Sequence, residues 1–234
     1  MSDVSVQQMN QTVILNNGDL ASKRSEIKTY FNFTWEQYES LFDMLASEEG
    51  FYEQPQPLRH PLIFYFGHTA TFFVNKLVLG KLLSERINPR FESLFAIGVD
   101  EMSWDDLNDV HYDWPQVAEV RVYRDQVKAA VNRVIDEMEI TIPITWESPA
   151  WMILMGIEHE RIHLETSSVL IRQLDLSLVK SNDAFIPHEA DGRDAPQNEL
   201  IEVDGGTVKL GRHTHEIYGW DNEFGETVYD VASF

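Results

Sequence analysis

Apolar residues recur at helical spacing in four stretches of this chain. In the first, Trp35, Tyr38, Leu41, Phe42 and Leu45 share one helix face. Thr34 precedes them and Gln37 follows three residues later, which is capping-box spacing and predicts a helix start there. Gly50 closes that region. The second stretch, Pro61 to about Leu83, is the most apolar of the chain. Its proline suits a first helical turn, where the missing N–H would be unpaired anyway. His68, Asn75 and Lys76 interrupt it, and a membrane-spanning helix would bury them at a cost. The expectation is therefore a core helix of a soluble protein. Pro115 opens the third stretch, striped by Val117, Val120, Tyr123, Val127, Val131, Val134 and Ile135. Ser148 and Pro149 form a cap followed by a first-turn proline and predict a fourth helix to about Leu176. Four amphipathic helices, with a long connection over 84–115 between the second and third, predict a mainly α four-helix bundle.

The pattern changes at both ends. Residues 1–24 are polar and irregular and read as an N-terminal arm, followed by the bundle over 25–180. Pro187, Gly192 and Pro196 punctuate a linker over 181–199. Beyond it, Leu200–Val203 and Thr207–Leu210 flank Asp204-Gly205-Gly206, the pattern of a β-hairpin. The remaining segment to Phe234 is turn-rich and aromatic. A β-containing piece over 200–234 is too small to bury a core alone. It is expected to pack on the bundle or to open a further domain.

Composition removes several function classes. The chain has 234 residues, with 18 Lys+Arg against 39 Asp+Glu and a net charge of −21. Such a surface neither displaces counterions from nucleic acid nor favours an anionic membrane. With 43% hydrophobic residues, wholesale disorder is also out. There is no cysteine, so disulfides, thiol nucleophiles and thiolate-held metals are excluded. Any metal would have to sit on His, Asp or Glu. The start of the chain has no basic stretch leading into an apolar one, and a cytoplasmic location is expected.

The fourth helix carries His159 and His163, four residues apart and on one face. Two imidazoles so spaced can grip one metal ion, and Met155 shares their face. His159-Glu160-Arg161-Ile162-His163 also matches the zinc-protease pattern, with Glu160 as general base. Arg161 inside the motif and the lack of a third histidine at the usual downstream spacing count against that reading. The second helix offers His68 among many aromatics. Opposite the His159/His163 pair it would complete three imidazoles with an open metal face, suited to Fe(II), Ni(II), Co(II) or Zn(II). Glu165 lies about 200° around the helix from His163 and points elsewhere. His60 and His111 could line a substrate cavity, with the surface the expected place for both, and His213 and His215 are expected to face solvent.

The segment Gly67-His68-Thr69-Ala70-Thr71-Phe72-Phe73, with His159-x-x-x-His163-x-Glu165 far downstream, resembles the DinB-like domain of the non-haem iron sulfoxide synthases. These enzymes make ergothioneine and ovothiol. The segment Phe91 to Leu107 and His111-Tyr112-Asp113-Trp114-Pro115 look like the ovothiol branch, the 5-histidylcysteine sulfoxide synthases. Ergothioneine enzymes carry Gln where this chain has Ile162. The resemblance implies Fe(II) on His68, His159 and His163, with Glu165 a motif residue without an assigned role. Ile162, Thr71 and Met155 become candidates for the substrate pocket. It implies cysteine, histidine and O2 as substrates, and a C–S bond and a sulfoxide as products. Val203-Asp204-Gly205-Gly206-Thr207-Val208-Lys209-Leu210-Gly211 and Gly219-Trp220-Asp221-Asn222-Glu223-Phe224 look like the opening of a formylglycine-generating-enzyme-like domain. That domain would supply a catalytic tyrosine beyond Phe234, so this chain by itself is expected to be an incomplete synthase, with the rest of that domain as partner. Two alternatives stand beside it: a DinB-type divalent-metal thiol transferase, and a non-catalytic metal-binding remnant.

Overall fold

The computed structural model describes residues 12–96, 112–185, 192 and 197–234. Four long helices form the bundle: α1 (Leu20–Phe42), α3 (Leu62–Leu79), α5 (Val117–Glu137) and α6 (Pro149–Ile171). Two short ones, α2 (Glu49–Tyr52) and α4 (Pro89–Leu94), lie in the connections. The prolines of the expected linker, His111 and residues 97–110 of the long connection lie outside the described residues.

The first helix begins at Leu20, well before Thr34. The Asp19 carboxylate accepts from the N–H groups of Ala21 and Ser22, each at 3.1 Å, and so caps it. The buried stripe runs through Ile27, Tyr30, Phe31, Thr34, Trp35, Tyr38 and Leu41, with Thr34 inside it rather than at its start. Residues 20–24, expected in the arm, thus form its first turns, and Val13 and Leu15 just before them are fully buried. Gly50 sits inside α2 and ends nothing.

Helix α3 is the centre of the bundle. It packs chiefly on α6 and α5 and is buried on nearly all sides. By length and composition it could cross a membrane, yet most of its surface is covered by the other helices. It stops at Leu79, short of Leu83. Lys81 takes a left-handed φ of 59°, and the Leu82 N–H turns back to the Leu77 carbonyl at 2.8 Å. Helix α5 starts at Val117, after Pro115, where the Gln116 N–H bonds the Glu119 carboxylate at 3.0 Å. Helix α6 starts at Pro149 as expected and ends at Ile171, earlier than Leu176.

The C-terminal segment pairs differently from the hairpin that its sequence suggests. Strand β1 (Gly206–Leu210) runs antiparallel to β2 (Thr227–Val231), with Gly206 opposite Val231. Val203 and Phe234 exchange both backbone hydrogen bonds in the same register, at 2.9 and 3.1 Å. Asp204-Gly205-Gly206 therefore lies within an extended run whose partner is far downstream. Both strands are exposed along their length. The connecting segment docks on the bundle: the Leu15 N–H donates to the Glu216 carbonyl at 2.6 Å, and the Ile144 N–H to the Leu15 carbonyl at 2.8 Å. Tyr218 is buried against Trp151, ring centroids 4.8 Å apart.

Candidate metal centre

Two glycines set the spacing of the site. A Cβ on Gly67 would overlap the Phe95 ring, and one on Gly156 would overlap the Phe73 ring. Gly156 lets α6 press against α3, and Gly67 lets the connection after α4 press on α3 from another side. The close approach of α3 and α6 brings His68 over His159 and His163. One ring nitrogen from each lies within 4.8 Å of the others. His68 and His159 meet through their Nε2 atoms at 3.3 Å. His68 and His159 are buried and His163 half-buried.

The surroundings settle which nitrogen faces inward. Nδ1 of His68 lies 2.6 Å from the Phe95 carbonyl, which can only accept, so Nδ1 carries the proton. Its Nε2 lone pair is left pointing at the other two rings. This carbonyl fixes the ring as second-layer partners do in metal sites. The Phe72 ring stacks on His159 at 3.8 Å and Phe64 on His68 at 5.1 Å, closing the apolar side. Nδ1 of His159 is buried without a hydrogen-bond partner among the described residues. Burial pushes His68 down to about 4 and His163 to about 3, and holds His159 well below the ordinary imidazole range. All three are neutral at pH 7. Three neutral imidazoles with ring nitrogens gathered within 4.8 Å are a donor set for one divalent metal, and direct contact of two Nε2 atoms leaves at least one lone pair unsatisfied without it.

Glu160 has no part in this centre. It turns into the core and pairs with Arg124 of α5, Nη2 to Oε1 at 3.2 Å, with Thr69 donating to the same oxygen at 3.2 Å. The Arg124 guanidinium also donates to Glu39, to the Phe66 carbonyl at 2.7 Å and to Thr69 at 2.9 Å, and lies 4.2 Å over the Trp35 ring. Burial raises the Glu160 carboxyl to about 7 against the pull of Arg124. A carboxylate so engaged cannot serve as the base of a zinc protease, and the protease pattern is a coincidence of spacing.

The other candidate residues divide. Met155 is half-buried one turn before His159. Ile162 is 45% exposed beside His163. Thr71 does not line the pocket: its hydroxyl pairs with the Tyr123 hydroxyl at 3.1 Å, on the α5 side of α3. Glu165 is exposed, as its helical angle requires. His213 and His215 face solvent, His215 stacked on Phe224. His60, expected at the surface, is only 3% exposed and packs on Phe64, Tyr112 and Trp114. Phe95, Gly67, Gly156 and Arg124 were not singled out by sequence. Arg124 had a signal, since it falls four residues after Val120 within an apolar stripe.

A helical bundle with three inward histidines on two crossing helices defines a bundle protein with a candidate metal centre. The chain belongs to the DinB superfamily, whose family description matches residues 30–167. It is also similar to a curated protein of Neurospora crassa named ergothioneine biosynthesis protein 1, with 25% identity over 217 residues. That match covers 86% of this chain and 24% of the relative, so the chain spans about a quarter of the relative's length. The matched family region contains all three histidines.

Proposed function

We propose that this chain holds the iron(II) centre of an O2-dependent sulfoxide synthase that joins the sulfur of cysteine to the imidazole ring of histidine. The observation that carries the reading is the convergence of His68, His159 and His163 in a chain similar, over most of its length, to a protein of ergothioneine biosynthesis. In the overall change a thiol, a ring C–H and O2 give a thioether S-oxide and water. Iron(II) held by the triad would supply the redox chemistry with O2.

The chain's own residues supply the rest. The Phe95 carbonyl holds the proton on Nδ1 of His68 and aims its lone pair. Burial keeps all three rings neutral, and therefore ligating, at neutral pH. Phe72 and Phe64 exclude water from one side. Ile162 in place of a Gln favours histidine over its trimethylated form as acceptor. The ovothiol branch follows from that residue and from the resemblance around α4. The tyrosine and the remaining substrate contacts would come from a formylglycine-generating-enzyme-like domain, which the exposed strands β1 and β2 resemble in sequence.

The test begins with metal analysis of anaerobically prepared protein and its His68→Ala and His163→Ala variants. We expect about one iron per chain in the parent and none in either variant. Cysteine and histidine are then added with and without O2, to the chain alone and together with a separately produced formylglycine-generating-enzyme-like domain, and products are read by mass spectrometry. Sulfoxide formed only with O2 supports the synthase. Thiol conjugation without O2 replaces it by the transferase reading, and metal content indifferent to the histidines refutes both.

A further inference from the structure

A second cavity, separate from the triad, lies near the start of α6. Its volume is about 550 Å³, enough for a small organic molecule. Trp151 in its wall precedes His159 by eight residues, about 12 Å along the helix. Three distant parts of the chain build it: Asn16, the loop over 143–146, and Thr214 to Glu216 of the C-terminal segment. Hydrogen bonds fix the backbone around it. The Leu15 N–H donates to the Glu216 carbonyl at 2.6 Å, and the Ile144 N–H to the Leu15 carbonyl at 2.8 Å. The Thr145 N–H donates to the Ser148 hydroxyl at 3.0 Å. The walls are therefore in place before a ligand arrives.

The lining is aromatic, with negative charge at one side. Trp146 is 68% exposed and stands edge-on to His215, ring centroids 6.4 Å apart. His215 is backed by Phe224, stacked at 4.5 Å, and Trp151 by Tyr218 at 4.8 Å. Rings braced in this way offer contact area at little cost in entropy. Glu216 brings the charge. Among the described residues no lysine or arginine lines the cavity. The nearby Arg212 is turned to Glu223 at 3.3 Å and to the Ile217 and Tyr218 carbonyls, and His213 to Glu226. Glu216 is thus left without an ion-pair partner among the described residues. Indole faces attract positive charge, and a free carboxylate beside them neutralises it. The net charge of −21 draws cations to the molecule and repels anions. We propose that this cavity binds a small primary ammonium ion carried on an aromatic body, with the ammonium on Glu216 and the body against Trp146 and Trp151. Asn16 and Thr214 border the same space and offer oxygens to the remaining N–H groups. The occupant touches three distant parts of the chain at once, so its binding fastens the C-terminal segment to the bundle.

The test titrates the whole chain with phenethylammonium by calorimetry and follows the tryptophan indole N–H signals by NMR. Neutral 2-phenylethanol and anionic phenylacetate serve as controls. We expect phenethylammonium to bind with a Kd of about a millimolar. It should bind about tenfold tighter than the alcohol, with phenylacetate weakest, and the preference should shrink as salt rises. The indole signal that moves should be the one missing from Trp146→Ala. Glu216→Gln should bring ammonium and alcohol toward equal affinity, and Trp146→Phe should keep part of the binding that Trp146→Ala loses. Both positions are exposed, and the other indole signals report whether each variant keeps its fold. An ammonium bound no better than the alcohol, a preference untouched by Glu216→Gln, or a Trp146 signal that does not move overturns the assignment.

Discussion

His159 and Glu160 are neighbours on α6, about 100° apart around the helix, and they enter opposite kinds of interior. His159 faces two other imidazoles, all neutral, with a ring nitrogen lacking a partner. Glu160 faces Arg124 in a network in which the guanidinium meets two carboxylates, a hydroxyl and a carbonyl. One cluster is short of a positive charge at its centre; the other already contains it. Polar groups gathered without mutual satisfaction point to something that arrives from outside, whereas a satisfied network holds helices together.

The sharpest separation of the two should come from single removals. His159→Ala is expected to lower metal affinity by about a thousandfold or more while costing the apoprotein little stability, because it removes an unsatisfied group. Equilibrium dialysis and urea unfolding on the same samples read both. Arg124→Leu should do the reverse to stability, costing about 3–5 kcal/mol by stranding the Glu160 charge in the core. Adding Glu160→Leu should recover part of that loss; no recovery would mean that the two side chains do not act as a pair.

Acid should also distinguish the clusters. The histidines have folded values below the ordinary 6.5, His68 at about 4 and His163 at about 3. Below pH 6.5 the unfolded chain takes up protons that the folded apoprotein refuses. Their stability contribution is therefore full above pH 6.5 and lost as pH falls toward 4 and then 3. Glu160 works in the opposite sense: its folded value near 7 lies above the ordinary 4.5, so its contribution is full below 4.5 and declines as pH rises through 7. Unfolding midpoints from pH 4 to 8 should show the acid-side loss reduced in the triple His-to-Ala protein and the alkaline-side decline reduced in Glu160→Gln.

A smaller effect is expected at Gly67. Ala there must displace the Phe95 ring, costing about 1–3 kcal/mol. By shifting the carbonyl that orients His68 it should also weaken metal binding about tenfold. Ile162→Ala, at an exposed position, should move stability by no more than about 0.5 kcal/mol. A larger loss would show that Ile162 packs against this chain more tightly than its 45% exposure implies.

The four helices were legible because their apolar stripes are long. Their ends were less so: the stripe could be followed back from Trp35 through Ile27, yet Thr34 and Gln37 imitate a start that Asp19 provides. The His159/His163 pair was legible from spacing alone. His68 needed the resemblance, because α3 is buried nearly all round and periodicity cannot say which side faces which neighbour. The same ambiguity misplaced Thr71, which serves Tyr123. Phe95 acts through its backbone carbonyl, which no side-chain pattern reveals. The Gly205-Gly206 pair permits a tight turn but does not compel one when a better partner strand lies downstream.

The backbone at Leu15 joins three distant parts of the molecule, touching Ile144 with its carbonyl and Glu216 with its N–H. Ile14 pairs with Ile217 beside it. Trimming the leading residues to tidy an expression clone would thus unfasten a stretch about two hundred positions away. Shortened versions of this chain should keep Val13 to Leu15, or their tails will dangle and invite proteolysis for reasons unrelated to the tail's own sequence.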